Sequence, residues 1–182
     1  MGGQHSQNKK RKQHIKNKFM NPQELFDIIK DEPNKLQLLL DTLNLLKKSK
    51  SFEQDLLTPG FLKEWLTSEI LGHECHKTKH GPDAYSLDGS EKYEYLSCKE
   101  GGSFQFDRIH EDNLHRIERN NSFFFALFDK EDGLKCVKIW KCNTDKVLEE
   151  AKVKISRMSE SSKHIGFGVK WVEENSQLIY SV

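Results

Sequence analysis

The chain has 182 residues, with 29 Lys plus Arg against 28 Asp plus Glu and a formal net charge of +1. Hydrophobic residues make up 35% and charged residues 31%, a composition that suits a globular protein with a large wet surface. This length supports one core with a small appendage. No apolar run approaches the ~20 residues of a membrane span. The polar, basic start has no apolar core of a signal peptide. The expectation is therefore a cytoplasmic protein with no membrane partner. Cys75, Cys98, Cys136 and Cys142 are too scattered for a disulfide scaffold. Free thiols in a reducing compartment follow. The charge balance conceals an asymmetry. Residues 1–18 carry six basic side chains and no acid, which leaves the remainder at −5.

In chain order, a basic arm spans 1–20 and holds Lys9, Lys10, Arg11 and Lys12. It lacks the apolar residues needed to offset chain entropy. It reads either as a phosphate-tracking arm or as a solubilising tail. An N-terminal helical segment follows over 21–57. Asn21-Pro22 opens a helix with Glu24 in its first turn. Leu36, Leu39, Leu40, Leu43 and Leu46 recur at helical spacing over 34–47, a stripe that fits a dimer seam or DNA clamp. The core occupies 58–182. Thr58-Pro59 opens a helix to about Leu71, and a basic, His-rich stretch runs from Gly72 to His80.

A strand over 92–99 ends at Gly101-Gly102. Phe106, Ile109, Asn113 and Ile117 predict a helix ending near Asn120. Strands are expected over 123–128 and 134–142, a helix over 145–158, and strands over 165–172 and 178–182. The fold class is α/β: a mixed sheet flanked by helices, preceded by the N-terminal helical segment.

Asp83 follows Pro82, which fixes its own φ and lacks a donor, so a sheet edge suits it. Its carboxylate there is a hard oxygen ligand for Mg²⁺, or Gly-Pro-Asp is plain turn punctuation. In the strand at 92–99, Tyr93, Tyr95, Ser97 and Lys99 share one face. Glu94, Leu96 and Cys98 share the other. Lys99, at the strand end, can hold a hydroxide or a phosphate oxygen.

Lys79-His-Gly-Pro-Asp83-Ala84 and the segment from Glu94 to Lys99, in this order of elements, resemble the motif of the PD-(D/E)xK nuclease superfamily, the fold of many type II restriction endonucleases. The resemblance covers roughly residues 58–172. It implies a restriction-endonuclease-like sheet and metal-assisted hydrolysis of double-stranded DNA at a specific sequence. Asp83 and Glu94 would bind Mg²⁺ and Lys99 would orient the attacking water. Glu69, on the preceding helix, sits where related nucleases place a supporting glutamate. The pattern departs from the family at Ser97, where an acid belongs. Shifting the frame to Glu94-Tyr95-Leu96 restores the acid and loses the lysine. Glu94 and Lys99 can serve together only if a bulge intervenes. Glu111 and Glu118 are alternative acids from the following helix.

Glu100 to Arg108 resembles the start of the helix that such enzymes place beside DNA. Ser103, Gln105 and Arg108 would contact phosphate there. Arg108, His115 and Arg119 would form one helical stripe. His76, Lys77 and Lys79 add a basic loop. A palindromic target implies a homodimer. Two other readings stay open. His73, Cys75, His76 and His80 are zinc-ligand types, so a zinc-containing DNA-binding protein is one. A catalytically inactive nuclease fold is the other.

Overall fold

The computed structural model describes residues 34–58, 60–78, 80–158 and 164–182. The arm with Lys9, Lys10, Arg11 and Lys12, the helix opened by Asn21-Pro22, and Lys79 lie outside the described residues. The chain divides into two compact units, Met1–Thr42 and Leu43–Val182. The boundary falls inside the first described helix, α1 (Lys35–Ser49). In the first unit, Gln37 Nε2 donates to Asp41 Oδ1 at 2.9 Å, one turn apart.

The second unit is an α/β fold. Its elements are α2 (Phe61–Leu71), β1 (Glu74–Cys75), β2 (Ala84–Tyr85), β3 (Lys92–Lys99) and β4 (Ser103–Asp107). A 3₁₀ turn (Glu111–Asn113), α3 (His115–Glu118), β5 (Ser122–Phe128) and β6 (Cys136–Asn143) follow. The chain closes with α4 (Thr144–Ile155), β7 (His164–Gly168), α5 (Val169–Asn175) and β8 (Gln177–Ser181). Six strands form a mixed sheet in the order β1-β2-β3-β5-β6-β8. Among the described strands only β3 and β5 run parallel. A parallel pair needs a long crossover, and the segment from β4 through α3 supplies it.

β5 explains the layering. All seven of its residues are buried, as a strand covered on both faces requires. Phe123, Phe125 and Leu127 face a core that includes Val147 and Ala151 of α4, Phe104 and Phe106 of β4, and Phe167 of β7. Phe124, Ala126 and Phe128 face the other way, with Tyr93, Tyr95 and, from α2, Leu66 and Leu71. A third cluster joins Phe52, Leu56, Phe61 and Cys75, with Leu43 and Trp65 packed against it.

Four expectations are corrected. The helix expected around Phe106 to Asn120 is a strand followed by two short helical turns. Phe104 and Phe106 are buried while Ser103, Gln105 and Asp107 are exposed, the alternation of a half-buried strand. β4 pairs with β7 in a separate antiparallel ribbon, Phe104 opposite Phe167 and Phe106 opposite Ile165. The strand expected over 165–172 stops at Gly168, where α5 begins. The helical segment expected to reach residue 57 ends at Ser49. Ser51 then turns with a φ of 56°. The helix expected from Thr58 begins at Phe61, after Gly60.

Candidate functional site

The site forms at the edge of β3. β2 pairs with β3 only at Ala84–Tyr93 and Tyr85–Lys92. Further along, the N–H of Tyr95 has no partner strand on that side. The Asp83 carboxylate takes that place: Oδ2 accepts from Tyr95 N–H at 2.7 Å. The Asp83 backbone continues the pairing, donating to the Tyr93 carbonyl at 2.9 Å and accepting from the His76 N–H at 2.8 Å. Asp83 is therefore bonded on both sides, between β1 and β3, and not at the expected sheet edge; Pro82 stands just before this pairing starts, where a residue without an N–H is tolerated.

Asp83 draws acids from both faces of the sheet. Glu94 points to the face shared by Leu96 and Cys98 and is only 7% exposed. Its Oε2 lies 3.8 Å from Arg119 Nη2 and accepts from Asn120 Nδ2 at 3.4 Å. Glu64 reaches Asp83 from α2, on the opposite face. Burial, then the charge of Asp83, pushes the Glu64 carboxyl up to about 8. Burial pushes Asp83 up to about 6, against the Tyr95 N–H and the Arg119 and Arg116 charges that pull it down. Glu94 is raised well above the usual carboxylate range by burial and Asp83, with Arg119 and Arg116 opposing. Carboxylates that raise one another titrate as a set.

Arg119 also donates from Nη2 to the Gly81 carbonyl at 2.7 Å, which fixes the loop before Asp83. A polar cavity of about 180 Å³ opens here, with Glu64, His76, Thr58, Thr78, Gly81 and Asp83 among its walls.

The donor set of Glu64, Asp83 and Glu94 is hard oxygen, the chemistry that Mg²⁺ selects. Among the described residues no three His, Cys, Asp or Glu side chains are gathered as a ready-made metal cage. Mg²⁺ usually takes one or two carboxylates, with water and substrate phosphate completing the shell, so the pair around Asp83 fits it. Arg119 and Arg116 lie beside these acids and pull Asp83 and Glu94 back toward the charged form.

Not every expected residue is here. Lys99 lies four residues beyond Tyr95 on β3, roughly 13 Å along the strand. It is exposed at the opposite end, where a Cβ on Gly133 would stand 2.8 Å from its Nζ. Its charge acts on Lys63. The residue two beyond Glu94 is Leu96, 5% exposed in the core. The Glu94 frame therefore supplies the acid and the Lys99 frame does not reach it. Ser97 is half-buried and lines a groove with Lys63 and Leu134.

Glu69 is exposed and occupied. It accepts from Lys50 Nζ at 2.7 Å and Trp65 Nε1 at 2.8 Å, and these bonds lower its pKa. Glu111 and Glu118 are exposed, and neither is among the charges acting on Asp83 or Glu94. Glu64 was missed by sequence reasoning, yet a signal existed. Phe61, Glu64 and Ser68 share a helical stripe (i, i+3, i+7) whose two outer members are buried. Glu69 falls on the wet side of the same helix. Arg116 and Asn120 were likewise missed.

Of the residues expected to meet DNA, His76 and Arg119 line the site. Lys77 pairs with Glu74 at 3.8 Å. Ser103 and Gln105 lie on the exposed face of β4. Arg108 occupies a tight turn with a φ of 56°, not a helix start. His115 is exposed on α3, one turn from Arg119, so the three-residue stripe reduces to these two.

The His/Cys group is dispersed among other partners. His73 Nδ1 bonds the Tyr95 hydroxyl at 2.7 Å, Cys75 is buried against Phe52 and Phe61, and His80 is exposed. The four cysteines are free thiols. Among the described residues no helix is long and apolar enough to cross a membrane. No protein-family model matches the chain, and no curated protein matches it.

Proposed function

We propose that the protein is a Mg²⁺-dependent nuclease of the PD-(D/E)xK kind, a site-specific type II endonuclease acting on double-stranded DNA. The observation that carries this reading is the buried Asp83 carboxylate at the open edge of β3, raised by burial, with Glu64 and Glu94 on either face raised by burial and by the charge of Asp83. Asp83 and Glu94 would hold the ion, with Glu64 beside them. Bound there, Mg²⁺ supplies Lewis acidity to a water and to the scissile phosphate. The Tyr95 N–H fixes the Asp83 carboxylate. Asn120 and Arg119 orient Glu94. Arg116 and Arg119 offset phosphate charge at the mouth of the site. A palindromic target requires a symmetric dimer, and α1, on which Leu45 and Leu46 are exposed, is the seam proposed for it. The buried free thiols suit a reducing cytoplasm.

The test is incubation of the purified chain with plasmid DNA in Mg²⁺ or in EDTA. Discrete, EDTA-sensitive fragments are expected. Asp83→Asn and Glu94→Gln should abolish them while DNA retardation survives. A second reading, DNA binding without cleavage, is favoured by one observation: Leu96 occupies the position two beyond Glu94, and Lys99 stands at the far end of the strand. Retardation with no fragments in any divalent metal would select it.

A further inference from the structure

We propose that His76 contacts the phosphodiester in this site, donating a hydrogen bond from its outer ring nitrogen in the place of the absent lysine. The inference rests on the nuclease reading for the identity of the ligand, and on the ring's own surroundings for the geometry.

The imidazole is clamped on several sides. The backbone N–H of His76 is held by the Asp83 carbonyl at 2.8 Å. The Tyr85 ring meets it edge-on, with centroids 5.4 Å apart at 66°. Gly81 lies flush against it: a Cβ there would stand 2.7 Å from Cε1 and 3.1 Å from Nδ1. Gly81 has a φ of 131°, which L side chains avoid, and its carbonyl is tied to Arg119. The chain thus removes a side chain at 81 where the ring must sit, and it anchors that backbone from α3's end of the site.

The clamp leaves the two ring nitrogens unequal. Nδ1 is sealed from solvent and has no hydrogen-bond partner. A neutral imidazole carries one N–H. Placing it on Nδ1 would bury a donor without an acceptor, the rarer and costlier orphan. With the proton on Nε2, the donor is carried by a ring that lines the cavity shared with Glu64 and Asp83. Nε2 has no hydrogen-bond partner among the described residues, the Glu64 and Asp83 carboxylates on the same wall included, so it is open to a ligand oxygen. In the nuclease reading, that oxygen would come from the substrate phosphate.

Three variants and one spectrum test this. Gln places an amide donor near Nε2, whereas Leu keeps the bulk and removes it. His76→Leu should slow Mg²⁺-dependent plasmid cleavage on the order of 10²-fold, the usual loss for one positioned donor. His76→Gln should recover most of the rate, and the KM for DNA should change far less than kcat. Gly81→Ala, which displaces the ring, should behave as His76→Leu. Thermal melts of each variant separate a loss of fold from a loss of the donor. His76→Leu cutting at the wild-type rate overturns the proposal. For the spectrum, ¹⁵N-histidine protein is mixed with short duplex DNA in Ca²⁺. The His76 Nε2 signal should shift on binding. A His76 signal unmoved by DNA overturns the proposal whether or not the wild type cuts. A shifted signal in a chain that cuts nothing supports the contact and overturns only the hydrolytic reading.

Discussion

Glu64 gives a prediction that does not depend on the substrate. Its carboxyl rises from the ordinary 4.5 to about 8 in the folded chain, through burial and the neighbouring Asp83. The unfolded chain releases this proton at lower pH than the folded one, so raising the pH favours unfolding. The contribution is whole below pH 4.5 and is lost as pH rises through 8. Between pH 5 and pH 8 the change is roughly 3 kcal/mol, at 1.36 kcal/mol per unit. For a chain of this size it corresponds to a melting shift of roughly 6–12 °C. Glu64→Gln removes the titrating group. Wild type should therefore melt lower at pH 8 than at pH 5, and the variant should lose a large part of that slope. Mg²⁺ should restore more stability to wild type at pH 8 than at pH 5, because the ion binds the ionised carboxylates. Guanidinium unfolding at the two pH values, with and without Mg²⁺, measures both effects. An identical pH slope in wild type and Glu64→Gln would refute the placement of Glu64 beside Asp83.

Other perturbations probe the rest of the site. Lys99→Ala should leave Mg²⁺-dependent cleavage and melting temperature near wild type, since the side chain is exposed at Gly133; abolished cleavage would return the lysine to the chemistry. Leu96→Lys should lower the melting temperature by burying an ammonium in the core, yet raise the cleavage rate at least about tenfold if a lysine beside Glu94 is what the site lacks; an unchanged rate in the folded variant would show that it is not. Arg119→Ala should cost about 1–3 kcal/mol in urea unfolding by freeing the Gly81 carbonyl and leaving Glu94 without its cation; a cost near zero would mean that neither contact matters. Phe125→Ala should cost about 3–5 kcal/mol, because Phe125 is fully buried between Phe104, Phe167 and Trp171.

Local patterns were legible in the sequence and distant ones were not. β3 was readable to the residue, since turns bound it and its alternating faces match the two cores. β5 was readable as a continuous apolar run. β4 was not. Phe106, Ile109, Asn113 and Ile117 mimic helical spacing, and the competing alternation of Phe104 and Phe106 acquires meaning only opposite Ile165 and Phe167, some sixty residues away. Val169 and Val172 follow Gly168 at helical spacing, but with the run from Ile165 they also look like one long strand. Asp83 was legible as a motif residue at a strand start. Glu64 was harder to see, because its partner Asp83 comes from a different element and only burial of the Phe61–Ser68 stripe marks its face.

The two possible frames of the motif differ by strand parity, and the edge of β3 decides between them. Asp83 bonds the Tyr95 N–H in the plane of the sheet. A carboxylate placed there acts on acids from both faces, on Glu64 and on Glu94. Glu94 is one residue from Tyr95 and its side chain leaves on the α3 face, beside Arg119 and Asn120. Glu64 approaches from α2 on the opposite face. No bulge in β3 is needed to bring these acids together, and β3 pairs with β5 in unbroken register from Tyr93 to Lys99. That same regularity is what carries Lys99 away, because an unbulged strand advances ~3.3 Å per residue. A regular β3 can place the acid of one frame or the lysine of the other at Asp83, never both. The chain has kept the acid, and in the nuclease reading proposed above the cations acting on it are Arg116 of α3 and Arg119 just after it.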